Sequence, residues 1–252
     1  MKNRHGFQAI GWVIGLATVA LIIIATVIVI NGNNNATDYS NYDFNSVISA
    51  DSHNGNISDH VKGNKDAPVL IFEYADFQCP GCASINSKVN KAIEELDGKL
   101  AIVYRNHLLS YHKNGTAAAS AAEAAGLQGY WKTYADKLFS EQAEWESATS
   151  SERTTLFEKY FTEVTKGQGD LEKFRQDFAS EAVSQKISFD MGIGRRIDIP
   201  ATPAFFVDGQ LIQWSEAGEI TLANGETVTW DEAMGGDKFI ELLKKIVEAK
   251  TK

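Results

Sequence analysis

The chain has 252 residues, 44% hydrophobic and 23% charged, with 24 basic against 33 acidic side chains for a net charge of −9. That supplies a sizeable core, and the acidic balance argues against a nucleic-acid partner, because phosphate neutralisation needs a basic stripe. Two cysteines exclude a multi-bridge scaffold and cannot complete a four-cysteine zinc site.

Lys2 and Arg4 are the only charges before Asn31, and from Ala9 to Ile30 the run is almost wholly apolar. A membrane-crossing helix needs about 20 such residues, whereas a cleaved signal peptide has an apolar region of only about 7–15. No face of the run is polar, so a buried core helix does not fit. The expectation is a single transmembrane signal anchor over 9–30, with residues 1–8 held in the cytoplasm by Lys2 and Arg4. The rest of the chain then lies on the extracytoplasmic side, tied to the cell membrane. Residues 31–66, rich in Asn, Ser, Asp and Gly, read as a linker.

Ordered structure is expected from Ala67. Val69–Tyr74 is a short apolar run with β-branched and aromatic residues, the pattern of a buried strand. Cys79-Pro80-Gly81-Cys82 follows, and then Ile85, Val89, Ala92, Ile93 and Leu96 recur at helical spacing before a second strand, Leu100–Tyr104. A Cys-x-x-Cys at a helix start inside a βαβ unit carries a specific chemistry. The first cysteine sits where unpaired N–H groups and the positive end of the helix dipole stabilise a thiolate. Pro80 fits the first helical turn, where its missing N–H is not needed. Cys82, one turn deeper, can close a short disulfide and act as the resolving thiol. Zinc would need two further ligands, and His107-x-x-x-x-His112 is the sole paired candidate; no metal is expected.

From about 114 to 191 the pattern is helical, with an Ala-rich stretch at 117–125 and aromatic stripes from Tyr130 to Phe178 that read as core. Gly192-Ile-Gly194 reads as a loop. Ala204–Val207, Asp208-Gly209 and Gln210–Ile212 predict a tight hairpin, and a second is expected over 219–230 around Asn224-Gly225. Phe239, Leu242, Leu243, Ile246 and Val247 predict a closing helix.

The runs Phe72–Cys82 and Ala201–Gly209 together resemble the DsbA family of thioredoxin-fold oxidoreductases, most closely its membrane-anchored Gram-positive type, over about residues 58–252. The resemblance implies an α/β thioredoxin fold at 67–252 with an inserted helical domain at about 114–191, preceded by the single transmembrane helix. It implies Cys79 as the substrate-bonding thiol, Cys82 as the resolving one and Pro203 as a cis-proline facing them. Thr202 and Pro203 would pair with an extended substrate peptide bordered by Pro80 and Gly81. Glu73 takes the place of a buried carboxylate that moves the Cys82 proton, with a salt-bridged strand residue as its alternative. Gln78 stands where thioredoxin itself carries Trp, which argues against a general reductase. The implied activity is a protein thiol:disulfide oxidoreductase, mainly an oxidase, passing the Cys79–Cys82 disulfide to secreted proteins with free cysteines. No cofactor beyond that disulfide is implied. A quinone-linked membrane reoxidase of the DsbB or VKOR type would restore it, and with no dimerisation domain in sight the expectation is a monomer. An isomerase, a reductase, or a tethered peptide-binding chaperone with an incidental disulfide are the alternatives.

Overall fold

The computed structural model describes residues 37–214, 219–221, 227–229 and 238–251. The expected membrane run 9–30 and the cytoplasmic residues 1–8 lie outside them; among the described residues, no helix is long and apolar enough to cross a membrane. Strands β1 (His60–Gly63), β2 (Val69–Ala75), β3 (Leu100–Asn106), β4 (Ala204–Val207) and β5 (Gln210–Leu211) form a sheet in the order β1-β3-β2-β4-β5. Strands β2 and β3 run parallel because helix α1 (Pro80–Glu95) crosses between them; the other pairs are antiparallel. Both central strands are covered on two faces, which is why Val69–Tyr74 reads as a continuous apolar run. Val69, Ile71 and Ile102 pack with Ile85 and Val89 of α1 and with Phe239 and Leu243 of the closing helix α8 (Lys238–Lys250). Phe72, Tyr74 and Val103 turn the other way, onto Phe189 and Ile193.

The helical insertion comprises α2 (Gly115–Gly126), α3 (Trp131–Ser140), α4 (Gln142–Trp145), α5 (Ser150–Val164), α6 (Leu171–Phe178) and α7 (Glu181–Arg196). Its starts are written locally: Thr149 and Glu152 form a reciprocal capping box on α5, and the side chains of Asp170 and Ser180 cap α6 and α7. The alanines of α2 are buried without exposure at 118, 119, 121, 122, 124 and 125, letting neighbouring helices approach closely.

The structure departs from two expectations about chain organisation. The linker does not extend to residue 66. A 3-10 turn at Tyr39–Asn41, the buried side chains of Ile48 and Ile57, and strand β1 all belong to the folded unit. Polar composition concealed this, because the segment is held by hydrogen bonds rather than by an apolar run: Arg105 donates from its guanidinium to the carbonyls of Phe44 and Ser46, both at 2.8 Å. Gly192-Ile-Gly194 is not a loop but part of α7. A Cβ at Gly192 would stand 2.0 Å from the Tyr39 ring, and one at Gly194 2.4 Å from His107 Nδ1. These glycines give close approach, not a turn.

The first hairpin is as expected: Asp208 and Gly209 both have positive φ, 51° and 75°, between paired β4 and β5. Beyond it, β6 (Gln213–Trp214), β7 (Glu219–Thr221) and β8 (Thr227–Thr229) make a separate antiparallel sheet; the Asn224-Gly225 turn lies outside the described residues.

Candidate active site

Strand β2 ends at Ala75, and the chain turns through Asp76–Gln78 into α1. Cys79 is the residue immediately before the helix, with φ −74° and ψ 121°, and Pro80 takes the first turn. The Cys79 N–H donates to Asp76 O at 3.0 Å and the Cys79 carbonyl accepts from Ala83 N at 3.1 Å, so the helix start is fixed on both sides of the sulfur. Both cysteines are thiols in this structure. Cys79 is 7% exposed and Cys82 not at all, so only a narrow window of the first sulfur reaches solvent.

The two thiols are driven apart in acidity. Cys79 falls to about 6, chiefly because Cys82 donates a hydrogen bond to it; burial works against this, while Thr202 and the backbone N–H groups of Cys82 and Gly81 assist. The helix amino terminus therefore contributes as the sequence predicts, but its partner thiol contributes more. Cys82 is pushed well above the ordinary thiol value by burial, by that same hydrogen bond and by the nearby charges of Cys79 and Glu73. One sulfur is thus a thiolate near neutral pH and the other a protonated thiol.

The Thr202–Pro203 bond is cis, and the stretch lies alongside Cys79: in the thiol form, Cys79 Sγ–H donates to Thr202 O at 3.2 Å. Strand β4 begins directly after, with Ala204 opposite Tyr74, and this pairing sets the 202–203 backbone beside the end of β2. The Thr202 hydroxyl is buried and has no hydrogen-bond partner while Cys79 carries its proton. Once that proton leaves, the hydroxyl is placed to donate to the thiolate. Removing it with Thr202→Val should raise the Cys79 pKa by roughly 0.5–1 unit, the size of one net hydrogen bond. Thiolate absorbance against pH would measure it, and an unchanged midpoint would take the hydroxyl out of the site.

Glu73 is 2% exposed on the same face of the sheet as Cys82, opposite Tyr104 on β3. Burial lifts its carboxyl to about 7; Lys62 pulls it down and Asp136 pushes it up. A buried carboxyl thus acts electrostatically on the buried thiol, at the position where the sequence offered either a proton carrier or a salt-bridged strand residue.

Other residues that shape the site were not singled out from the sequence. Asp76, fully buried, accepts from Gln78 N at 2.8 Å, Leu109 N at 2.9 Å and His112 Nδ1 at 2.8 Å, tying the loop after β3 to the turn before Cys79. Gln142 donates to Phe77 O at 2.7 Å and Cys79 O at 3.1 Å. Gln78, noted only for standing where Trp was absent, accepts from Asn114 N at 2.7 Å and donates to Glu146 O at 2.9 Å. The insertion is thus bonded to the active-site turn itself. An Asp ending an apolar strand just before the motif was the one visible signal; the others act across long sequence separations. Of the paired histidines, His112 is engaged with Asp76 while His107 packs edge-on against Tyr74.

The family described as Thioredoxin matches residues 55–221. The chain belongs to the thioredoxin family. Its fold is shared with oxidised BdbD from Bacillus subtilis, 21% identical, with a TM-score of 0.56 over 82% of this chain and 98% of that one. It is shared equally with alpha-DsbA1 from Wolbachia pipientis, 22% identical, TM-score 0.56, over 77% and 92%. A stretch of 155 residues, 60% of this chain, is 33% identical to Na(+)/H(+) antiporter NhaA 1 of Mycolicibacterium gilvum, of which it covers 24%. The chain thus spans about a quarter of the length of the curated relatives it matches. Within this family setting, the structural neighbours are DsbA-like in fold, and the Cys79-Pro80-Gly81-Cys82 turn and Thr202–Pro203 are the features placed together at the sheet end.

Proposed function

We propose that this chain is a membrane-tethered, extracytoplasmic thiol:disulfide oxidoreductase acting mainly as an oxidase of secreted proteins. The observation that carries the reading is the split pair: a Cys79 thiol lowered to about 6 at a narrow opening, backed by a wholly buried Cys82. In the forward step a substrate thiolate attacks Cys79 Sγ of the disulfide, the Cys79–Cys82 bond breaks, and Cys82 leaves and takes up a proton, with Glu73 as its source. A second substrate thiolate then attacks its own sulfur in the mixed disulfide and Cys79 leaves as a thiolate. The substrate gains a disulfide and the enzyme holds the dithiol. Two electrons and two protons must then pass onward, and a quinone-linked membrane reoxidase of the DsbB or VKOR type has the chemistry to accept them. Tethering rests on the apolar run Ala9–Ile30 with Lys2 and Arg4 ahead of it. The substrate backbone is expected to lie along Thr202 and Pro203, beside Pro80 and Gly81.

Stabilising the Cys79 thiolate favours the dithiol and so makes the disulfide more oxidising. A fall from 9 to about 6 favours the reduced form about tenfold at pH 7, or about 30 mV. That is about one fifth of the roughly 150 mV separating a thioredoxin near −270 mV from a DsbA near −120 mV, so the Cys79 thiolate is one of several contributions to the potential. Equilibration with glutathione should give a value above about −180 mV, and the oxidised chain should form disulfides in a reduced, unfolded cysteine protein. A potential near −270 mV would overturn the oxidase assignment. Absence of any disulfide transfer would remove the exchange reading and leave a peptide-binding role.

A further inference from the structure

A carboxylate of the helical insertion, Asp136, also acts on the buried carboxyl behind the thiols. Lys62 of β1 is fully buried, and its ammonium is turned toward α3: it donates to Asp136 Oδ1 at 3.0 Å and to Asn86 Oδ1 on α1. The Nζ also lies 5.9 Å from the ring centres of both Trp131 and Phe139. Asp136 is itself pinned, since Asn86 and Asn90 donate to its Oδ1 at 3.1 and 2.9 Å. Its second oxygen takes Lys132 Nζ at 3.1 Å at the surface.

We infer that Asp136 is a positioning residue for the exchange site: by holding the Lys62 ammonium against Asn86 and α3, it stops Lys62 from closing an ion pair on Glu73. Glu73 is thereby left able to trade a proton with Cys82. The inference rests on the oxidoreductase reading of the Cys79–Cys82 pair. Among the described residues, the charged and titratable groups that interact with Glu73 are Lys62 from β1, Cys82 from α1, Tyr104 from β3 and Asp136 from α3, with Lys132 behind Asp136. The β4 residue opposite is Phe205, which brings no charge. Among these, Lys62 is the cation that lowers Glu73 and Asp136 the anion that raises it. A buried carboxyl with an unshared ammonium at hand stays ionised and cannot deliver a proton near neutral pH; one whose cation is engaged elsewhere can.

The proton matters when Cys82 resolves a mixed disulfide. Cys82 loses its proton to the Glu73 carboxylate and its sulfur attacks Cys79 Sγ. The Cys79–Cys82 bond forms, and the partner sulfur leaves as a thiolate. Glu73 in the protonated form cannot accept, so resolution should fail as pH falls through the Glu73 midpoint.

The test is the carboxyl carbon shift of Glu73 against pH in the reduced full-length chain, with Glu73→Gln to assign the signal. The wild-type midpoint should lie at about 7. Asp136→Asn should lower it by about one unit, and Asp136→Glu should bring it back to within about half a unit. An unchanged or raised midpoint in Asp136→Asn overturns the proposal. Lys62→Met provides an independent arm: it should raise the midpoint, and no rise overturns the proposal equally. In parallel, the pH at which resolution of a Cys79–glutathione adduct is half-maximal should move down with Asp136→Asn. If the wild type forms no adduct, the exchange reading fails, while the Glu73 midpoints still decide what Asp136 does.

Discussion

The Cys82→Ser chain should accumulate mixed disulfides with cysteine-containing proteins, released by dithiothreitol, at least tenfold faster than Cys79→Ser does. With Cys82 gone, the Cys79 thiolate attacks a partner's disulfide, a bond forms between the two sulfurs and the partner's other sulfur leaves; no resolving thiol remains. In the intact pair a pKa of about 6 leaves roughly nine-tenths of Cys79 ionised at pH 7, and in Cys82→Ser the introduced hydroxyl can still donate to that sulfur. Cys82, pushed well above the ordinary thiol value by burial, is protonated at that pH. The contrast in ionisation overstates the contrast in rate, because a thiolate of lower pKa is a weaker nucleophile. Access then decides the outcome. Cys82 has no exposed surface, so an external disulfide reaches it only if the start of α1 moves. Non-reducing gels and mass spectrometry of the adducts would read the ratio. Equal trapping by both variants would reverse or dissolve the assignment of roles.

What was legible in the sequence was legible because it is local. The strand, the Cys-x-x-Cys turn, the helix and the following strand occupy residues 69–106 without interruption, and each signal is decided within a few residues of itself. The Asp208-Gly209 turn is of the same kind. Glu73 and Pro203 were placed only by resemblance, since nothing within their own neighbourhoods separates a proton carrier from a salt-bridged strand residue. The failures share a cause as well. Residues 39–59 look like a tether by composition, yet they are held by Arg105 and Asp59, which lie 46 positions apart. Gly192 and Gly194 look like loop residues, but their lack of side chains accommodates Tyr39 and His107, whose positions no local pattern reveals. Gln78 and Asp76 are polar residues next to the motif whose partners come from the loop after β3 and from the insertion. The chemistry of the site was therefore readable, and the scaffold that fixes it was not.

That scaffold should fail when Asp59 is replaced by Leu, with a loss of about 3–5 kcal/mol in unfolding free energy. Asp59 receives Arg105 at 2.7 and 3.1 Å on one oxygen and Lys186 at 3.0 Å on the other; all three side chains have no exposed surface. The network continues from Lys186 to Asp190 at 2.7 Å, from Asp190 to Asn106, through Asn106 to Glu123 at 2.8 Å, and from Glu123 to His60 at 2.6 Å. Removing the carboxylate leaves a buried guanidinium without its ion partner and a buried ammonium with Asp190 as its hydrogen-bonded anion and Glu123 at longer range. Desolvation already lost by both cations is then uncompensated, which costs more than the pair itself contributes. The segment 44–48 should loosen at the same time, because Asp59 also accepts from Ile48 N at 2.9 Å and Arg105 holds the carbonyls of Phe44 and Ser46. The pH dependence has a definite sign. The two cations hold the Asp59 carboxyl at about 2, below its usual 3.8, despite the opposing effect of burial. Its contribution is therefore complete above pH 4 or so and is lost as pH falls from about 4 towards 2. Urea unfolding at pH 7 and at low pH separates the two claims. Asp59→Leu should lower the midpoint sharply at pH 7, and the gap to wild type should narrow as the solution is acidified. A variant as stable as wild type at pH 7 would mean that the buried charges are satisfied without Asp59, and that the tie between the amino-terminal segment and the sheet lies in the backbone contacts instead.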